Sequence, residues 1–95
     1  MKAVMITYNE VLSERLIHLL DALELRGFTR WNGVQGRGTT TGEPHMGNHI
    51  WPSLNGAMYV VVEDEHLEAF LEALSELDAQ GRGLRAFVSP VERVI

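Results

Sequence analysis

Two segments, residues 2–8 and 57–62, are apolar on both parities, and this constrains the fold more than any other feature. Val4 and Ile6 alternate with Ala3 and Met5, while Met58, Val60 and Val62 alternate with Ala57, Tyr59 and Val61. Successive side chains of a strand point to opposite faces of its sheet. Strands apolar on both parities are therefore central strands with something packed on either side. Each of them leads into a helical stretch. From Glu10 to Arg26, Leu12, Leu16, Leu19, Leu20 and Leu23 recur at helical spacing. Asn9 is placed to cap that helix, and Gly27 to take the left-handed conformation that ends it. Glu63, Asp64 and Glu65 supply negative charge suited to a helix N-terminus. Leu67, Phe70, Leu71, Leu74 and Leu77 then form a second apolar stripe, which Gly81 and Gly83 are expected to end. Residues 28–34 read as a weaker strand and residues 84–91 as the last one, where Pro90 points to an edge or a bulge.

The expected order is thus βαββαβ, in one domain spanning residues 1–95. Tandem β-α-β units of this kind form an α+β, ferredoxin-like fold: a four-stranded antiparallel sheet, strands one and three central, with two helices on one face. Helices on one face leave the other apolar face open, and a patch of that size calls for a second subunit. A chain this short buries only roughly 60–65% of its unfolded surface, which points the same way.

Composition removes several classes of function. Hydrophobic residues make up 45% and charged residues 22%, a globular mixture. Eight Lys+Arg against thirteen Asp+Glu leave a net charge of −5, which argues against nucleic acid as a partner. The absence of cysteine excludes disulfides and thiolate chemistry. No apolar run approaches the ~20 residues needed to span a membrane, so no membrane insertion is expected. Residues 1–6 lack a signal-peptide cleavage pattern, which makes a cytoplasmic location the expectation.

The richest stretch for chemistry is the segment 36–52, too long for an ordinary connection. Gly36 and Gly38 would let backbone N–H groups approach an anion, with Arg37 and the hydroxyls of Thr39, Thr40 and Thr41 as further donors. The stretch lacks the Gly-Lys-Ser/Thr ending of a P-loop. His45 and His49, with Glu43 and Met46 beside them, are candidate ligands for a divalent metal. Two histidines do not close a site, and surface histidines bonded to solvent are the commoner explanation. Trp31 and Trp51 are read as packing anchors. Gly81-Arg82-Gly83 with Arg85 is a second basic, glycine-rich spot, which also reads simply as a helix C-cap. No nucleophile stands at recognisable spacing from a base, so nothing requires an enzyme.

Gly27-Phe28-Thr29-Arg30 running to Gly36-Arg37-Gly38, and Gly81-Arg82-Gly83-Leu84-Arg85-Ala86-Phe87-Val88 running to Ile95, resemble two segments of the PII signal-transduction family and its relative, the CutA family. The first is similar to the second strand and its entry into the T-loop, the second to the B-loop and last strand. The resemblance implies a cytoplasmic, non-enzymatic homotrimer that binds a small anionic effector, such as an adenine nucleotide, between subunits. It implies signalling through the loop 36–52 to a partner protein such as a transporter or an enzyme. Arg37 matches the arginine at the T-loop base. Gly81, Gly83 and Arg85 match the phosphate-binding B-loop and its basic residue, and Arg82 stands where the family usually has other residues. Gly36, Arg37, Gly38, Gly81, Arg82, Gly83 and Arg85 are therefore the expected effector-binding set. The chain stops at Ile95 without the family's C-terminal arginines and has no loop tyrosine for uridylylation, so weak nucleotide binding or another small anion is expected. One alternative is a CutA-like protein holding a divalent metal at His45 and His49. A second is a small oligomeric ferredoxin-like enzyme with its active site between subunits.

Overall fold

The computed structural model describes residues 1–25, 27–36, 54–79, 81 and 83–95. Its elements follow the expected order: β1 (Lys2–Asn9), a short 3-10 turn (Glu10–Leu12), α1 (Ser13–Ala22), β2 (Thr29–Val34), β3 (Asn55–Val62), α2 (Asp64–Leu77) and β4 (Leu84–Pro90). The four strands form one antiparallel sheet in the order β2-β3-β1-β4. The two strands apolar on both parities occupy the centre, and β4 with its Pro90 lies at an edge, where a missing N–H costs least.

The pleat sorts the residues of the central strands by parity. Val4, Ile6 and Tyr8 of β1 and Met58, Val60 and Val62 of β3 are buried on one face, against Leu16 and Leu20 of α1 and Phe70 and Leu74 of α2. This is the hydrophobic core. On the opposite face the register aligns Thr29, Tyr59, Met5 and Phe87 in one row, and Trp31, Ala57, Thr7 and Arg85 in another. Between Val61 and Ser89 lies Ala3, in a third row. Trp31, Tyr59, Val61 and Phe87 are 38–52% exposed there, with no element of the chain over them among the described residues. The apolar second face is therefore real, and both helices lie on the other.

Three expectations about helix ends are corrected. The first helix does not start at Glu10: Asn9 caps a 3-10 turn, its side-chain oxygen accepting from the Val11 N–H at 3.1 Å, and the α-helix begins at Ser13. Nor does it reach Gly27. It ends at Ala22, and the left-handed residue is Glu24, at φ 60°. The Leu25 N–H bonds to the Leu20 carbonyl at 2.8 Å, turning the chain there and drawing Leu25 onto the core. The second helix likewise stops at Leu77, before its glycines. Asp78 closes its last turn, and Gly81, at φ 67°, serves the turn into β4 instead. His18 and His66 are exposed, as solvated helix positions should be.

Candidate functional site

One end of the sheet holds Gly36 and Gly83, two glycines of the expected effector site. Asn9, at the end of β1, pairs with Asn55 at the start of β3. The Asn9 N–H donates to the Gly83 carbonyl at 2.7 Å. Gly36 lies against the other side of Asn55, so close that a Cβ on Gly36 would sit 2.9 Å from Asn55 Nδ2. Gly36 and Gly83, 47 residues apart in the sequence (83 − 36), thus flank a common Asn9–Asn55 rung. The antiparallel order dictates this, because β1 ends, β3 begins and β4 begins at the same edge of the sheet.

Glu10 braces this end. Its N–H donates to the Leu54 carbonyl at 3.0 Å, and its Oε1 accepts from the Gly33 N–H at 2.8 Å. Gly33 has φ 66°, a conformation that suits glycine, where β2 and β3 slip register between Trp31 and Val34. Arg30, on the helix side of β2, reaches Ser13 Oγ at 3.3 Å.

The turn from α2 into β4 is closed by Asp78. Its Oδ2 accepts from the Gly83 and Leu84 N–H groups, 3.0 Å each, and its carbonyl accepts from the Gly81 N–H at 2.8 Å. Space is tight at Gly83, where a Cβ would meet Leu12 Cδ1 at 3.2 Å. Beside this turn an open groove of about 480 Å³ runs between α2 and β4, walled by Leu71, Leu74, Leu84 and Ala86, with Ser75 and Asp78 as its polar members. Arg85 does not share it. The pleat sends Leu84 and Ala86 to the helix side and Arg85 to the open face, where its guanidinium lies 5.4 Å from the centre of the Phe87 ring.

Of the expected effector residues, the structure sets Gly36 and Gly83 on opposite sides of the Asn9–Asn55 rung, puts Gly81 in the turn beside Gly83 and places Arg85 two rungs inward on the open face. Arg37, Gly38 and Arg82 lie outside the described residues, as do His45, His49 and Trp51. Among the described residues no group of three His, Asp or Glu could hold a metal ion, and no helix is long and apolar enough to cross a membrane. Sequence reasoning missed Asn9 and Glu10 as braces, Asn55 as the bridge and Asp78 as the clamp. A carboxylate three residues before a Gly-x-Gly turn was the available signal for Asp78.

An antiparallel βαββαβ sheet, with both helices on one face and a long connection between β2 and β3, defines a ferredoxin-like protein of PII type. The chain belongs to the nitrogen regulatory protein P-II family, whose model matches residues 1–95. It is similar in structure to a candidate PII-like signaling protein from Thermus thermophilus, with a TM-score of 0.68 at 23% identity over 93% of this chain and 83% of that one. It is also similar to a DUF3240 family protein from Shewanella baltica, with a TM-score of 0.76 at 14% identity over 98% and 91% of the two chains. At these identities the likeness is one of fold. No curated protein matches the sequence. Proteins of the P-II family are regulatory and generally oligomeric, and they act on partner proteins. The chain is accordingly a regulatory, non-enzymatic protein.

Proposed function

We propose that this protein is a cytoplasmic, homotrimeric sensor that binds a small anionic effector between subunits and signals through the loop 36–52 to a partner such as a transporter. The observation that carries the reading is that Gly36, where the loop begins, lies at the same end of the sheet as the turn that delivers Arg85 to the open face, two rungs inward from the Asn9–Asn55 pair. A site there adjoins the start of the loop, so occupancy of one bears on the conformation of the other. Arg85 stands on the open face, the face a neighbouring subunit would cover. Guanidinium groups from the effector-binding set favour phosphate or carboxylate oxygens. An adenine nucleotide and bicarbonate are the ligands to try first.

Calorimetry with ATP, ADP, cyclic AMP and bicarbonate, beside zinc and copper, tests this on wild type, Arg37→Ala and His45→Ala. The expected outcome is weak anion binding that Arg37→Ala reduces about ten- to a hundredfold, the worth of one charged hydrogen bond. Metal binding alone, abolished by His45→Ala and indifferent to Arg37→Ala, would replace the anion sensor with a metal-binding protein.

A further inference from the structure

The turn between α2 and β4 contains an anion already. Gly83 and Leu84 present consecutive backbone N–H groups to a single oxygen, Asp78 Oδ2, at 3.0 Å each. Consecutive amides converging in this way form a concavity that suits a phosphate or carboxylate oxygen. Here the oxygen comes from the chain itself, five and six residues upstream. The other side of the turn is held independently, since the Gly83 carbonyl accepts from Asn9 at 2.7 Å and Leu84 pairs with Tyr8 in the sheet.

We infer that Asp78 is a specificity-determining residue: its carboxylate fills the Gly83–Leu84 amide pair and so excludes the effector's anionic group from the turn. This rests on the anion-sensor reading for its biological meaning, although the occupancy of the amides does not. Charge and geometry have two consequences here. A ligand phosphate entering the turn must displace a carboxylate from two hydrogen bonds and then sit beside its negative charge. The anion is therefore held by side chains such as Arg85, on the opposite face of β4, and not by the turn's backbone. The turn selects against a ligand that depends on backbone amides to bind phosphate.

The test uses pyrophosphate as the probe, at fixed ionic strength, on full-length wild type, Asp78→Asn, Asp78→Ala and Arg85→Ala. Calorimetry gives affinity, and two-dimensional NMR follows the Gly83 and Leu84 amide signals. In wild type those two signals should not move on addition of pyrophosphate. Asp78→Ala should bind it at least about tenfold more tightly, with both signals shifting, because two freed amide donors replace a repelling charge. Asp78→Asn, which keeps the shape and loses the charge, should fall between.

Saturable shifts of the two amides in wild type would overturn the inference. So would an Asp78→Ala protein with a dispersed, folded spectrum and no gain in affinity, which would leave Asp78 a structural clamp only. Should Asp78→Ala fail to fold, the wild-type amide signals and Asp78→Asn decide. Failure of the parent reading is separable. If neither wild type nor Arg85→Ala binds pyrophosphate or nucleotide, the sensor loses its anion, while a gain on Asp78 substitution still supports the occupied turn.

Discussion

Tyr8 and Gly56 face one another across β1 and β3, and their fit sets the tolerance of this corner of the core. A Cβ on Gly56 would come within 2.6 Å of the Tyr8 ring, nearer than real carbon contacts allow. Gly56→Ala should therefore destabilise the protein by about 1–3 kcal/mol, the range for overpacking a filled core, as read from a denaturant midpoint. The ring is buried, and its hydroxyl has no hydrogen-bond partner among the described residues. A buried polar group without a partner gains nothing to offset its lost hydration. Tyr8→Phe should accordingly be neutral or raise stability by up to about 1 kcal/mol, and a loss larger than that would show that the hydroxyl has a partner. The contrast between the two substitutions separates ring packing from hydroxyl chemistry. The sequence shows Tyr8 as one more residue of an apolar strand and leaves Gly56 just outside the expected strand 57–62. Their contact depends on register, which residue types do not report.

Element ends carry the next set of consequences. Just past the end of α1 stands Glu24 at φ 60°, where a side chain costs roughly 1 kcal/mol that glycine avoids. Glu24→Gly should thus stabilise the fold by about 0.5–1 kcal/mol after allowing for the greater freedom of glycine in the unfolded chain, measurable as a higher melting temperature. At the start of α2, Asp64 Oδ1 accepts from the Met1 ammonium at 2.8 Å and lies 3.5 Å from Lys2 Nζ. The ammonium's hydrogen bond, with the charge of Lys2 adding to it, holds this carboxyl below its ordinary value of 3.8 against a smaller effect of desolvation. A carboxyl with a depressed folded-state value stabilises above its unfolded value and loses that contribution as pH falls through the folded one. Denaturation of wild type and Asp64→Asn should show a gap near neutral pH that closes under acid below 3.8, and a gap independent of pH would rule out the ion pair. The leucine stripes of both helices were legible because helical spacing is a local property. The ends were not. Gly27 and Gly81 are the residues best suited to end helices, yet Glu24 turns the chain early because Leu25 is drawn onto the core.

At the scale of the molecule, the open face of the sheet has no covering element among the described residues. Trp31, Tyr59, Val61 and Phe87 stand exposed across β2, β3 and β4, a patch that an isolated small domain would seldom leave in water. Light scattering coupled to size exclusion should return the mass of a trimer at micromolar concentration. Val61→Arg should lower that mass toward a monomer with secondary structure intact, because a buried unpaired charge at a subunit contact is strongly unfavourable. A wild type that runs as a monomer would remove the argument for an intersubunit site. This face was readable from the two-sided apolar pattern of residues 2–8 and 57–62, since two helices cannot cover two sides of a sheet.

What the sequence determined by itself is the element order, the central place of two strands and the existence of an uncovered apolar face. Each is a product of periodicity along one stretch of chain, where neighbours in sequence are neighbours in space. Only the tertiary structure decided which backbone groups meet. Glu10 accepts from Gly33 across 23 residues, and Asn9 bonds to Gly83 while pairing with Asn55. The Asp78 carboxylate, at the end of α2, closes on the amides of Gly83 and Leu84. Those contacts depend on strand register and on where each helix stops. Both are set by the joint packing of strands and helices, so no single stretch of residues contains them.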